Sequence, residues 1–206
     1  MRRIASAVAG LMLILTTAAS AQPEAGSDYR VLSEPQPTDG DKIEVIEFFS
    51  YGCPHCNDFR PIIDEWKSNA ADNVEVSHVP VTFGRDQWKL MARAYYVADS
   101  LGVTDKTHPA VFKAIHVNRQ RFSQPEQIAK LYASVGVDRE DVMDAFDSFV
   151  VDMKVKRAEK MVRKYGVQRT PSMAVDGRFV TDPSTAGGQQ EMLNVVEYLI
   201  DERVGD

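Results

Sequence analysis

Two cysteines are all that the 206 residues contain, and Cys53 and Cys56 stand only three positions apart. An exported chain that relies on cross-links pairs cysteines far apart in sequence, so a disulfide scaffold is excluded. A bridge closing so short a loop removes little unfolded-chain entropy, which leaves reactivity as the reason for the pair. Cationic side chains are also scarce: 24 Lys and Arg face 30 Asp and Glu, a formal net charge of −6. Binding to phosphate needs cationic surface, so no nucleic-acid partner is expected. Long apolar runs are missing after residue 21, and nothing there suffices to cross a membrane.

What is present at the start is a leader pattern. Arg2 and Arg3 supply a positive beginning, Ile4 to Leu15 an almost unbroken apolar run, and Ala19-Ser20-Ala21 a small-residue cleavage site. Thr16, Thr17 and Ser20 cut the apolar stretch below the roughly 20 residues of a membrane span. The adjacent arginines lack the Phe-Leu-Lys of a twin-arginine signal, and no cysteine near the cleavage site offers a lipid attachment point. Residues 1–21 are therefore expected to be a cleaved signal peptide. Its removal takes the formal charge from −6 to −8 and leaves enough chain for one sizeable core or a small domain with an insertion.

Residues 22–41 are rich in Pro, Gly, Asp and Ser, with at most a short strand near Tyr29 to Leu32. Ile43 to Ser50 is a β-branched and aromatic run suited to a central strand buried on both faces. From Pro54, the spacing of Phe59, Ile62, Ile63 and Trp66 predicts a helix against the sheet, kinked at Pro61. Val74 to Val81 predicts a parallel strand that ends or lies at an edge at Pro80. Residues 85–165 then turn wholly helical. Helices are expected over Asp86–Leu101, Pro109–Val117, a segment capped by Ser123 and Glu126, Asp138 to about Val150, and on to Tyr165. After Gly166 come Met173-Ala-Val, an Asp176-Gly177 hairpin turn, Arg178-Phe-Val180 and an amphipathic helix over Glu191–Val204. The expected organisation is an α/β domain in two parts, 22–84 and 166–206, around an inserted all-helical domain at 85–165.

Cys53-Pro54-His55-Cys56 falls where the buried strand meets the first turn of a helix. Helix starts present unpaired N–H groups and partial positive charge. A Cys53 thiolate accepts those donors, with His55 able to add charge nearby, so its pKa is expected to drop well below a free thiol's. Cys53 is expected to be the exposed nucleophile and Cys56, a turn further in, the buried resolving thiol. Zinc sites use the same Cys-x-x-Cys spacing but need four ligands, and His78, His108 and His116 are scattered through a strand and the helical block.

The stretch Glu47-Phe48-Phe49-Ser50-Tyr51-Gly52-Cys53-Pro54-His55-Cys56, followed far downstream by Arg169-Thr170-Pro171, resembles the DsbA family of periplasmic disulfide oxidases, and the similarity extends over essentially the mature chain. The resemblance implies a thioredoxin fold carrying a helical insertion. It implies that Pro171 is cis and faces the cysteine pair, where the adjoining backbone can pair with a substrate segment as an added strand. Glu47 matches the family's buried acid beneath the active site, an aid to proton transfer. Thr170 departs from the Val that many members carry and matches the related isomerases. By the resemblance, a redox-active Cys53–Cys56 disulfide oxidises reduced, newly exported chains in the periplasm and a DsbB-like membrane quinone reductase restores it. The protein is then a monomer that needs no metal, flavin or nucleotide.

Competing readings share some of these features. A disulfide isomerase or reductase uses the same dithiol but brings an amino-terminal dimerisation domain, for which the 20 or so residues before the first main strand leave no room. A metal-binding chaperone would use Cys53 and Cys56 as ligands, and a glutathione transferase on the related fold has no need of the pair. Glu44, on the opposite face of the strand from Glu47, reads as a surface residue and His78 as a structural histidine. Lys154 to Lys164 reads as a solvated helix face. Met173, two residues after Pro171, stands out as the methionine placed to line a peptide groove.

Overall fold

The computed structural model describes residues 22–38 and 40–205, and the expected leader lies outside them. In chain order the elements are β1 (Arg30–Val31), β2 (Ile43–Phe49), α1 (Pro54–Asn69), β3 (Val74–Pro80), α2 (Asp86–Ser100) and α3 (Thr104–Phe112), the last running into a π turn at Lys113–Val117. They continue with α4 (Pro125–Ala133), α5 (Arg139–Phe146), α6 (Phe149–Lys164), β4 (Ser172–Val175), β5 (Phe179–Thr181), α7 (Pro183–Ala186) and α8 (Gln189–Gly205).

The sheet has the order β1-β5-β4-β2-β3. β2 lies parallel to β3 and antiparallel to β4, so it is flanked on both sides, as its unbroken apolar character requires. Val45 packs with Phe59 and Ile63 of α1 and with Met192, Val196 and Leu199 of α8. Ile46 and Phe48 point the other way, onto Ala158 and Tyr165. Phe49, at the carboxyl end, reaches the core of the helical block, where it joins Phe112, Ile128, Tyr132 and Phe146. Burying each large apolar side chain contributes about 1.5–3 kcal/mol. One strand thus ties three clusters together at the point where the chain turns into the cysteine motif.

β3 is an edge strand, which accommodates Pro80 as its last residue. The turn after β4 has φ of 51° at Asp176 and 63° at Gly177. A Cβ on Gly177 would stand 2.1 Å from the Gln36 carbonyl oxygen, so the close approach of the 32–36 segment reserves that position for glycine.

The helical block occupies the interval between β3 and β4, and its helix ends depart from expectation in three places. α3 starts at Thr104, with Pro109 inside it; Thr107 Oγ1 donates to the Val103 carbonyl at 2.9 Å, and Asp105 suits the first turn. The cap of α4 is Gln124, because Pro125 takes the first helical position; Gln127 Oε1 accepts from the N–H groups of both Ser123 and Gln124. α5 stops at Phe146, and Ser148 caps α6 by accepting from Val151 N–H at 3.2 Å. α7 was not anticipated, although Asp182 accepting from Ser184 and Thr185 with Pro183 behind it is a legible start. α1 continues through Pro61 without a break.

Candidate active site

Cys53 is the N-cap of α1, and Pro54 fills the first helical position where no N–H is missed. Its approach is shaped from behind. Ser50, itself buried, accepts the Cys53 N–H at its carbonyl (3.0 Å) and the Gly52 N–H at its hydroxyl (3.2 Å). Gly52 passes so close to Trp88 that a Cβ there would lie 2.7 Å from the indole nitrogen. The loop therefore holds Cys53 at the mouth of the helix.

Both sulfurs are free thiols, and their surroundings push them apart. The Cys53 pKa is lowered to about 5, first by hydrogen bonding from Cys56 and then by the Thr170 hydroxyl and the backbone N–H groups of Cys56 and His55, against an opposing burial penalty. Cys56 is pushed far above a free thiol, by burial first, then by its bond to Cys53 and, once Glu47 ionises, by that carboxylate. At neutral pH the pair is a thiolate at 53 beside a thiol at 56. Cys53 departs from expectation in one respect: it is 7% accessible rather than exposed, against 0% for Cys56. Its placement as an N-cap under the Thr170 loop leaves the sulfur a narrow opening.

That loop carries the second expected feature. The Thr170–Pro171 peptide is cis, and the Thr170 carbonyl accepts from the Cys53 thiol at 3.3 Å. Thr170 thus meets the sulfur twice: its carbonyl suits the protonated form, and its hydroxyl the thiolate. His55 and Pro54 are exposed. His55 acts on the sulfur through its backbone N–H, and its carbonyl accepts from Gln189 Nε2 at 2.8 Å, which ties the motif to α8.

Beneath the cysteines Glu47 is 3% accessible, and burial raises its carboxyl to about 8, with lesser contributions from Asp64 and Cys53. Its neighbours were hidden from sequence reasoning. Register pairs Glu47 with His78 on β3, and His78 Nε2 stands 3.4 Å from Glu47 Oε2. Burial, reinforced by Lys67, lowers the His78 imidazole to about 4, so at neutral pH this contact joins a carboxylic acid to a neutral ring. His108 Nδ1 meets the Tyr51 hydroxyl at 2.8 Å, and His116 Nε2 meets the Tyr51 carbonyl at 2.8 Å. The histidines that looked scattered converge on the strand-to-loop junction, and His116 reaches it from the π turn, a distortion frequent at functional sites. Only strand register for His78 could have hinted at this.

Three other expectations change. Met173 is completely buried in the core with Phe59 and Ile63, because β4 directs it into the sheet's packed face rather than toward a groove. Glu44 is half-buried and lines a groove beside β3. In the Lys154–Lys164 stretch, Lys154 pairs with Asp99 at 2.6 Å, so that face is partly engaged with α2. Among the described residues no group of three or more His, Cys, Asp and Glu is placed to hold a metal ion, and no helix is long and apolar enough to cross a membrane.

A dithiol split into thiolate and thiol at a helix start, facing a cis-proline loop on a thioredoxin sheet, defines a thiol–disulfide oxidoreductase. Comparison with known proteins narrows the class. Residues 44–199 match the family model of the DSBA-like thioredoxin domain. The thiol:disulfide interchange protein DsbA of Burkholderia cepacia is 35% identical over 193 residues, 93% of this chain and 91% of that protein. The protein of the same name from Pseudomonas aeruginosa is 36% identical over 178 residues, 86% and 84% of the two chains. The crystal structure of P. aeruginosa DsbA superposes with a TM-score of 0.85 at 35% identity, covering 89% of this chain and 95% of that one. Oxidoreductase DsbA from Xylella fastidiosa gives 0.85 at 30% identity, covering 90% and 100%. The chain belongs to the DsbA-like thioredoxin-domain family.

Proposed function

We propose that the protein is a disulfide oxidase that donates its Cys53–Cys56 disulfide to reduced, newly exported proteins. A substrate thiolate attacks Cys53, the S–S bond breaks toward Cys56, and a mixed disulfide forms. A second substrate thiol then attacks the substrate sulfur, and Cys53 leaves as a thiolate. Low pKa makes it a fast leaving group, which favours donation over reduction. Pro54 and His55 shape the helix start, Thr170 and Pro171 flank the sulfur and offer backbone to an extended substrate segment, and Glu47 exchanges a proton with Cys56.

The observation that carries this reading is the separation of the two thiols, Cys53 lowered to about 5 and Cys56 raised, within one helical turn. A thiolate of pKa about 5 stabilises the reduced form at pH 7 by roughly 2 kcal/mol over one of pKa about 7, as in thioredoxin. That corresponds to a potential about 50 mV more oxidising than thioredoxin's roughly −270 mV.

The rest of the setting follows the family: a monomer of the periplasm with residues 1–21 cleaved, a helical domain at 85–165 interrupting the thioredoxin parts 22–84 and 166–206, and a DsbB-like membrane quinone reductase as the oxidant. Redox titration against glutathione tests the central assignment. A potential at least about 50 mV above thioredoxin's is expected; one at or below thioredoxin's would assign the chain to the reductases.

A further inference from the structure

We infer that His78 is a positioning residue for the Glu47 proton, passing it between the buried carboxyl and water in the groove between β3 and the helical block. This rests on the oxidase reading above. His78 both touches Glu47, at 3.4 Å, and lines a groove of about 440 Å³. The 3.4 Å separation is long for a hydrogen bond, and acid–base contacts tighten when the reacting complex forms.

The site needs such an exit. When substrate attacks Cys53, the bonding pair of the disulfide moves to Cys56, whose surroundings strongly oppose a charge. The Glu47 carboxyl, protonated at neutral pH, supplies the proton, leaving Cys56 as a thiol and Glu47 as a carboxylate. The carboxylate is buried and must be reprotonated from solvent. A neutral imidazole has one donor and one acceptor nitrogen: Nε2–H gives its proton to Glu47 while Nδ1 takes one from groove water or a buffer acid. Reoxidation runs the same transfers backward. Glu47 returns its proton to Nε2, Nδ1–H releases one to the groove, and the carboxylate then takes the Cys56 proton, so the ring tautomer is reset each cycle.

The charged surroundings favour a neutral ring. Lys67 of α1 and Arg157 and Lys154 of α6 line the groove, with Lys154 held by Asp99 of α2 and Glu44 entering from β2. Tyr95 and Tyr96 close its wall. His108 faces His78 across 5.6 Å between ring centroids, but its Nδ1 is committed to the Tyr51 hydroxyl and it does not line the groove. The route therefore runs through His78.

Single-turnover oxidation of a dithiol peptide, followed from pH 5 to 9, tests the inference. His78→Ala should slow turnover roughly ten- to hundredfold, leave the equilibrium potential unchanged, and regain rate in proportion to added imidazole, which the groove has room to admit. His78→Gln, which keeps polarity and bulk but cannot change tautomer, should be as slow and unrescued. In a Glu47→Gln background neither the further change to His78 nor imidazole should matter. A parental rate in both His78 variants across the pH range, or a slow His78→Ala rate that imidazole leaves unchanged, overturns the relay. Failure of the parent itself to oxidise the peptide would instead overturn the oxidase reading.

Discussion

The sheet and the helical block bury polar groups in opposite ways. In the block, the buried hydroxyls are satisfied: Tyr132 donates to the Ala94 carbonyl at 2.9 Å and Thr107 to the Val103 carbonyl at 2.9 Å. Apolar side chains such as Ala94, Val97, Ile128 and Val142 pack around them. At the end of β2 the protein instead buries Glu47 beneath a thiolate and beside an imidazole 3.4 Å away. Such burial costs free energy and shifts pKa values. The block stabilises by packing, and its rings at His108 and His116 brace the Tyr51 loop; the sheet end gives up stability for reactivity. Strain between charge and burial therefore marks where the chemistry is.

Breaking the comparison at the sulfur should have the largest effect. Cys53→Ser should abolish peptide oxidation while leaving thermal unfolding of the reduced chain cooperative, as a combined activity and melting measurement would show. On the other side, Phe146→Ala in the block core should cost about 3–5 kcal/mol in denaturant unfolding and leave the Cys53 titration where it was. A shifted titration there would mean that the two regions are not separable.

The pH dependence sharpens the contrast because the two buried acids pull in opposite directions. The Cys53 pKa falls on folding, so its contribution to the reduced protein is complete above about 9, is roughly 3 kcal/mol at pH 7, and vanishes as pH drops through about 5. The oxidised protein has no such thiol and should lack this rise. The Glu47 pKa is raised on folding, so its contribution is greatest below about 4.5 and is lost as pH rises toward 8, with a slope of at most about 1.4 kcal/mol per pH unit. Denaturant titrations of both redox forms between pH 4 and 9, repeated with Glu47→Gln, should separate the two slopes. Smallest of all, Thr170→Val removes one donor to the thiolate and should raise the Cys53 midpoint by less than about one unit.

Much of this was legible in the sequence where interactions are local. The β2 run, the helix beginning at Pro54, the Asp176-Gly177 turn and the five helices of the block follow from periodicity and turn chemistry. Boundaries slipped where two local signals competed, as at Pro125 against Ser123, or where Pro109 entered a helix that had already begun at Thr104. The site divides in the same way. Cys53, Cys56 and the helix-start effect on the thiolate lie within four residues and could be read directly. The His78, His108 and His116 convergence on Glu47 and Tyr51 depends on contacts between residues 31 to 65 positions apart, which one sequence does not disclose. Met173 differs from expectation for a related reason, since both faces of β4 are buried and α1 and α8 cover the one that carries it.

Thiolate absorbance of the reduced protein as a function of pH tests most directly whether the helix start holds charge on Cys53. A midpoint near 5 is predicted. A midpoint near the 8.5 of an unperturbed thiol would contradict it, and with it the oxidising character assigned to the Cys53–Cys56 bond.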